Sequence, residues 1–234
     1  MIRRFYNEVT LGEAPGGWQV LLDGRGVKTV GGAGQIAPTR PLAEALAAEW
    51  RRQGEKIDPA SLPLRDIADY AIDIVAPAPE VIAHGLVAYA ETDTLCYRAD
   101  PDEPLHARQL EVWEPLLAAF EAEHGIALVR VSGVLHHPQP AQALAVLHAR
   151  LVALDSFALA GVDAMTKLAA SLVTALAALD ARGEEEPRAL WQAGCLEEDW
   201  QAELWGRDWE AEERRARREA DFLRACAFAR LARC

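Results

Sequence analysis

The first third of the chain alternates short apolar runs with glycine-containing turns, a pattern typical of β-strands. Positions 5–11 and 18–22 are short runs rich in aromatic and branched residues. Residues 23–26 read Asp-Gly-Arg-Gly and precede a predicted strand at 27–30. Since glycine adopts positive φ easily, this arrangement predicts a hairpin, and the glycines within 31–34 predict a second turn.

Two helices are predicted to follow these strands. Thr39 suits a helix N-cap, and Pro41 falls in the first turn, so a helix is expected to run to about Gly54. The two prolines of residues 57–63 then predict an extended path. Apolar residues recur at helical spacing over 64–75.

Pro77 and Pro79 end the second of these helices and mark the predicted domain boundary. We expect a β-rich N-terminal domain with two helices at residues 1–77 and a helical C-terminal domain at residues 78–234. The fold class is thus predicted as α+β, a small β-containing domain followed by a mostly α-helical bundle.

Helical periodicity dominates the C-terminal part. Residues 162–180 are apolar on nearly all sides, which predicts one buried central helix there. Residues 126–134 are apolar and branched and are compatible with a short strand. Further helices are predicted over residues 80–92, from Pro104 to Gly125, from Pro140, and from Pro187.

Composition narrows the classes of partner. The net charge of −12 argues against nucleic acid or an anionic membrane surface. The longest apolar run, residues 168–179, has twelve residues, whereas a membrane span needs about twenty. The four cysteines have no metal-binding or redox spacing, so reduced thiols in a cytosol are expected. No leader segment precedes the first strand-like run, which predicts a bacterial cytoplasmic protein.

The last forty residues carry the most unusual pattern. Residues 196–213 hold eight acidic side chains and one arginine, Arg207, whereas residues 214–230 hold six arginines and two acids. Such charge blocks are typical of a solvated helix face or of a face that docks a partner, and the charges alone leave both open. Four of the seven tryptophans also lie here: Trp191, Trp200, Trp205 and Trp209.

Candidate chemistry is sparse. His136 and His137 are adjacent, so their side chains point apart and do not predict a shared metal ion. Asp93 and Arg98 are placed to form a structural ion pair. The acidic run that begins at Glu197 is compatible with acid–base chemistry, but an acidic first turn of a helix explains it equally.

The chain resembles the assembly chaperones of F-type ATP synthase that hold the alpha subunit of the F1 head. The most specific match is residues 92–99, Thr-Asp-Thr-Leu-Cys-Tyr-Arg-Ala. The other matching stretches are Arg4-Phe5-Tyr6, Gly17-Trp18-Gln19-Val20, residues 22–29, Pro38-Thr39, Ala48-Glu49-Trp50, Pro63-Leu64, Ala71-Ile72-Asp73, Gln109, Trp113, residues 115–117, Leu196-Glu197-Glu198, Gln201 and Trp205-Gly206.

This resemblance implies a protein that binds one unassembled alpha subunit of the F1-ATPase, without turnover, metal, cofactor or small-molecule substrate. It also implies that eukaryotic relatives act in the mitochondrial matrix. An acidic residue opening the last conserved block matters in this family, which here means Glu197 or Glu198, with Glu197 favoured. The family tends to read Leu-Asp-Glu where this chain reads Leu-Glu-Glu.

Aromatic contacts from Trp200 or Trp205 are expected to supply affinity, unless both tryptophans belong to the core. Trp50 and Trp113 are expected to be structural residues. Two other functions stay open at this point: a general protein-binding adaptor and a small acid–base enzyme. An adaptor would copurify from cells with several proteins. An enzyme would turn over a metabolite and lose that activity on mutation of Glu198.

Overall fold

The computed structural model describes residues 2–133, 135–206 and 208–233. Its strands are β1 (Ile2–Arg3), β2 (Val9–Ala14), β3 (Gly17–Leu22), β4 (Arg25–Gly26), β5 (Ile36–Ala37), β6 (Lys56–Ile57), β7 (Tyr97–Arg98) and β8 (Val131–Ser132). Its α-helices are α1 (Arg40–Arg51), α2 (Pro63–Tyr70), α3 (Pro79–Glu91), α4 (Pro104–His124), α5 (Ala141–Val152), α6 (Ser156–Ala169), α7 (Leu172–Asp180), α8 (Glu186–Gly194), α9 (Leu196–Trp205) and α10 (Trp209–Leu231). The predicted α+β class is confirmed.

The chain packs into two compact units. The described residues of Met1–Pro79, Leu154–Gly161 and Ala227–Cys234 form unit 1, and those of Glu80–Ala153 and Val162–Cys226 form unit 2. The domain boundary expected after residue 77 stays a prediction.

The main sheet of unit 1 is built around β3. This strand pairs antiparallel with β2 along its whole length and also pairs with β4 and β5. Asp23 and Gly24 connect β3 to β4 with φ of 47° and 77°, the left-handed geometry of a tight hairpin turn, as predicted. The strand expected within residues 5–11 lies later in the structure, where β2 begins at Val9 and extends to Ala14.

Helix α1 begins where the sequence predicted. The Thr39 hydroxyl accepts a hydrogen bond from the N–H of Leu42 at 3.3 Å, and the helix ends at Arg51, earlier than Gly54. The extended path expected for residues 57–63 is only partly correct, since Pro59–Ser61 form a 3₁₀ turn. The turn forms because Asp58 accepts from the N–H of Ala60 at 3.1 Å.

Helix α2 continues into a π-helical turn, Ala71–Val75. The two acids on this segment fix the glycine-containing loop of residues 29–34. Asp73 accepts from the Thr29 hydroxyl at 2.7 Å and from the N–H of Gly31 at 2.8 Å. Asp69 accepts from the side-chain amide of Gln35 at 2.6 Å. The loop is therefore tied down by carboxylates.

In unit 2, the single helix predicted over residues 162–180 is wrong. The chain breaks between α6 and α7, where Ala170 has a φ of 49° and Ser171 caps α7 by accepting from the N–H of Thr174 at 2.9 Å. The short strand compatible with residues 126–134 is present as β8, which pairs in parallel with β7, although Val134 lies outside the described residues.

The core of unit 2 gathers side chains from several helices that are essentially inaccessible to solvent, among them Trp113, Leu117, Leu147, Trp191 and Phe222. Within the described ranges, no single helix is long and apolar enough to cross a bilayer, and only two consecutive shorter helices, taken together, reach that length and composition.

Candidate functional site

All four residues predicted to contact a partner lie on α9. Glu197 and Trp200 are half-buried, Glu198 is exposed, and the Trp205 side chain at the end of the helix is 87% exposed. The alternative that both tryptophans are core residues is therefore wrong for Trp205. Their role in binding stays a prediction at this point.

Glu197 is held by Gln109 of α4. The side-chain N–H of Gln109 donates to Glu197 Oε1 at 2.6 Å, while Gln109 Oε1 accepts from the N–H of Ala99 at 2.9 Å. Because the backbone N–H fixes which end of the Gln109 amide is the acceptor, the other end must offer a donor to Glu197. Burial raises the pKa of Glu197, and the hydrogen bond from Gln109 acts in the opposite direction.

Glu198 and Asp199 have different partners, on α10. Arg218 donates to the two carboxylate oxygens of Glu198 at 2.9 and 3.2 Å, and Asp199 forms an ion pair with Arg215. Arg218 also donates to the carbonyl of Leu168 at 3.2 Å and lies over the Trp191 ring, 5.3 Å from its centroid. Glu198 therefore helps to attach α9 to α10, whereas Glu197 contacts α4 through Gln109.

Two shallow pockets flank α9. One of about 480 Å³ is lined by Trp200 together with residues of α4 and α8 such as Arg108 and Gln192. The other, of about 340 Å³, is lined by Trp205 and by the first turns of α10, including Ala211. Both pockets carry an aromatic wall and charged rims, a composition that suits a polypeptide segment better than a buried reaction centre.

An exposed apolar group extends from the end of α9 to the start of α10. Leu204 is 64% exposed and Trp209 is 71% exposed, on either side of Trp205 in the sequence. We call Trp200, Leu204, Trp205 and Trp209, with Glu197, the α9 surface. Large apolar side chains grouped in this way on a protein surface commonly mark an interaction site.

The charged side chains in the first half of α10 largely form a solvated helix face. Glu210 pairs with Arg214 at 3.8 Å, and Glu213 pairs with Arg217 at 2.5 Å, each four residues apart and exposed. The second half of the helix turns inward through Phe222. Arg207, the single arginine among the acids, lies outside the described residues.

Two of the residues predicted to be structural are tryptophans with backbone contacts inside their own units. The fully buried Trp113 donates its indole N–H to the carbonyl of Ala193 at 2.7 Å, which links α4 to the helix directly before α9. Trp50 belongs to unit 1, where Tyr6 donates its hydroxyl to the Trp50 carbonyl at 2.6 Å.

The expected ion pair between Asp93 and Arg98 does not form. Asp93 is fully buried and accepts hydrogen bonds from the Ser171 hydroxyl and the N–H of Val173, at 2.7 and 3.0 Å. Arg98 instead donates to Glu114 at 2.8 Å. The two side chains diverge because one caps a helix start and the other neutralises an acid on α4.

Glu114 also belongs to a larger ion network that fixes α4. Arg130 donates to Glu114 at 2.7 Å and contacts Glu121, and these bonds hold the pKa of Glu114 below its usual range. Within the described part of the chain, no three His, Cys, Asp or Glu side chains are grouped to hold a metal ion.

Sequence reasoning missed Gln109, Leu204 and Trp209 as members of this site. Gln109 had a detectable signal, because it lies at helical spacing before Trp113 and is the polar position of an otherwise apolar stripe on α4. Leu204 and Trp209 lie in acidic sequence, and only the packing of α9 shows that they are exposed.

Comparisons with known proteins all point to one family. A family model described as ATP12 chaperone protein matches residues 3–121. The solved structure of Atp12 from Paracoccus denitrificans is 37% identical, with a TM-score of 0.92, covering 99% of this chain and 98% of that one. A mutant of that protein gives the same values. A candidate chaperone from Agrobacterium tumefaciens is 36% identical, with a TM-score of 0.90, covering 99% of this chain and 85% of that one.

Proposed function

Because this chain belongs to the family of ATP12 chaperone proteins, we propose that it binds the unassembled alpha subunit of the F1-ATPase through the α9 surface. The chaperone protects the alpha surface that later contacts beta, and beta then replaces it. This role involves no turnover, cofactor or small-molecule substrate.

The observation that carries the proposal is that one helix, α9, carries both the exposed Trp205 and the half-buried Glu197. Obligate subunit interfaces are large and apolar, so an unpaired alpha subunit exposes a surface prone to aggregation. An aromatic side chain that is 87% exposed can cover part of such a surface, and tryptophan is enriched among residues that dominate binding energy.

Glu197 supplies the polar half of the contact. Its carboxylate already accepts one hydrogen bond from Gln109, and its second oxygen has no hydrogen bond with a described residue. That oxygen accepts a donor from the alpha subunit in the proposed complex. A contact of this kind is strong only while water is excluded, so it weakens once beta begins to displace the chaperone.

The test is retention of separately produced alpha and beta subunits on the immobilised chain. We expect retention of alpha but not beta, and release of alpha when beta is added. Trp205→Ala is expected to weaken retention of alpha about tenfold or more, because truncating a central aromatic anchor typically removes that much affinity. Val81→Ala is the matched control, since Val81 is also exposed on unit 2 and lies outside the α9 surface.

The acidic contact is tested with two variants of Glu197. Glu197→Lys reverses the charge, and Glu197→Gln keeps the size and the hydrogen bond to Gln109 while removing the charge. Both are expected to lower retention of alpha, whereas Glu123→Lys, at an exposed position of α4, leaves it unchanged. Normal retention by both Glu197 variants would reject the assigned role.

The same experiment separates this function from a general adaptor. An adaptor retains several unrelated unfolded or unassembled proteins with similar affinity, whereas a dedicated chaperone retains alpha in preference to them. Equal retention of alpha, beta and an unrelated partly folded protein would contradict the proposal.

A further inference from the structure

A third pocket lies in unit 1 and shares no residue with the α9 surface. Its volume is about 540 Å³. The residues lining it come from the segment after β1, the hairpin of β3 and β4, and the two helices of the unit: Phe5, Tyr6, Leu22, Asp23, Arg25, Gly26, Val27, Lys28, Trp50 and Arg65. We call this the unit 1 pocket.

The charge of the unit 1 pocket is positive. The side chains of Arg25 and Lys28 are both exposed, and among the described residues neither makes a hydrogen bond or an ion pair, while Arg25 interacts electrostatically with Asp23. The acid in the lining, Asp23, is already engaged, because it accepts from the N–H groups of Asn7 and Glu8 at 3.0 and 2.8 Å. These bonds hold the pKa of Asp23 below its usual range.

This local charge is opposite in sign to that of the whole protein. The chain carries 36 acidic and 24 basic residues, and residues 1–79 contain ten acidic and nine basic side chains, whereas the lining of the pocket has three basic side chains and one acidic. A positive surface on an otherwise acidic protein attracts anionic partners to one place, because elsewhere the field repels them.

The apolar wall of the pocket is aromatic and incompletely covered. Phe5 is 67% exposed and meets Tyr6 edge to face at 5.5 Å, and Tyr6 meets Trp50 in the same way at 5.8 Å. The indole N–H of Trp50 is buried and has no hydrogen-bond partner among the described residues. Trp50 lines the pocket, so its indole group reports on changes in this wall.

We propose that the unit 1 pocket binds an acidic segment of a partner polypeptide that carries a bulky apolar side chain next to its carboxylates. The apolar side chain packs on Phe5 and Tyr6, and the carboxylates meet Arg25 and Lys28. This is a second recognition site, separate from the contact made by α9.

The combination of features favours a peptide over an inorganic anion or a nucleic acid. An inorganic anion makes no use of an exposed phenyl ring. A nucleic acid spreads its phosphates over a wide basic surface, whereas the net charge of this protein is −12. An acidic and apolar peptide uses both the cations and the ring.

The test uses the full chain and a fluorescein-labelled, amidated peptide, Asp-Glu-Phe-Leu-Glu-Asp, followed by fluorescence anisotropy. We expect saturable binding that weakens as salt is added, and no binding of the basic counterpart Lys-Lys-Phe-Leu-Lys-Lys. The Arg25→Glu/Lys28→Glu variant is expected to raise the Kd about tenfold, because two exposed attractions become repulsions. Phe5→Ala is expected to raise it about fivefold.

The matched control is Arg3→Glu/Lys56→Glu. These two exposed residues face each other on β1 and β6 and do not line the pocket. The control changes the net charge by the same amount and replaces one like-charged pair with another, so an unchanged Kd supports the proposal. An equal rise of the Kd in both double variants, no effect of Phe5→Ala, or displacement of the peptide by inorganic pyrophosphate at equal concentration each overturns it.

In the same samples, the indole signal of Trp50 in a ¹H–¹⁵N spectrum reports on the site directly. We expect it to shift on addition of the acidic peptide, while the indole signal of Trp205 stays in place. A shift of Trp205 without a shift of Trp50 places the peptide on the α9 surface and overturns the assignment. Since no alpha subunit is present, this outcome is independent of the proposed chaperone function.

Discussion

Ser171 donates its hydroxyl to Asp93 at 2.7 Å, across 78 positions of the sequence. The same carboxylate accepts from the N–H groups of Val173 and Leu95, at 3.0 and 3.1 Å. Asp93 thus caps the start of α7, and it also closes a local turn through its bond to Leu95. Burial nevertheless raises its pKa to about 6, because the removal of water outweighs the hydrogen bonds that favour the charged form.

This arrangement predicts a pH-dependent difference between the native protein and Asp93→Asn. The pKa of Asp93 is higher in the folded than in the unfolded chain, so folding is favoured most where the side chain is protonated in both states, below about pH 4. The stabilisation is lost as the pH rises to about 6. The free energy of unfolding of the native chain, relative to the variant, should therefore fall by on the order of 3 kcal/mol between pH 4 and pH 7.

Urea unfolding of both proteins across this range measures the difference, and the other carboxylates cancel because both proteins contain them. The variant is also expected to be less stable at every pH, since an amide N–H₂ replaces one of the acceptors. A difference that is constant with pH would show that Asp93 titrates normally.

Glu49 gives a second prediction. Its two carboxylate oxygens accept from the N–H groups of Leu64 and Arg65, at 2.9 and 3.0 Å, so it acts as the cap of α2 from a neighbouring helix. Glu49→Gln turns one acceptor into a donor facing another donor, and we expect a loss of about 2 kcal/mol in the free energy of unfolding.

Glu44→Gln is the matched control for Glu49 on the same helix. Glu44 pairs with Arg51 at the surface at 3.3 Å, so the same substitution there should change the free energy of unfolding by no more than about 0.5 kcal/mol. A loss for Glu49→Gln as small as that expected for Glu44→Gln would mean that the contacts of Glu49 contribute little.

A third prediction concerns the pKa of Glu197. Gln109→Met removes the donor but keeps most of the volume, so burial acts on Glu197 without opposition and its pKa should rise further. Carboxyl ¹³C chemical shifts followed through a pH titration measure this. A pKa in the ordinary range would show that the Glu197 side chain rotates into solvent when Gln109 is replaced.

A fourth prediction concerns thiol reactivity. Burial raises the pKa of Cys96 to about 12 and that of Cys195 to about 11, so neither forms an appreciable thiolate at pH 8. Iodoacetamide should modify both slowly in the native protein and quickly in urea, as followed by mass spectrometry. Rapid modification of either residue without denaturant would contradict its burial. Cys234 lies outside the described residues.

Where a local signal sets the structure, the sequence predicts it well. Thr39 and Pro41 correctly place the start of α1, and the glycines around Asp23 correctly place the hairpin, because caps and turns depend on a few neighbouring residues. Gly125, with a φ of 63°, ends α4 for the same reason.

The break between α6 and α7 was missed because apolar periodicity continues across it. Ser171 is a good N-cap residue, but a serine inside an apolar run is also compatible with a continuous helix. What decides between them is Asp93, which lies far away in the sequence and reaches the start of α7 only in the folded chain. The same distant contact removes Asp93 from the ion pair predicted with Arg98.

At the candidate site, the sequence predicts the residue types but not their separate tasks. Glu197 and Glu198 are adjacent and identical in type, yet one meets Gln109 and the other Arg218. Which acid bonds to which helix depends on the helices packed on either side of α9, and no local pattern encodes that.

The first half of α10 has a further consequence for how Trp209 is presented. The pairs Glu210–Arg214 and Glu213–Arg217 support this part of the helix, with the acid before the base, which is the order that stabilises an isolated helix. Most side chains here are exposed, so burial adds little to its stability. Such pairs are screened by dissolved ions. Added salt is therefore expected to weaken the support that these first turns give to the exposed Trp209, while Phe222 remains buried in the core of unit 2.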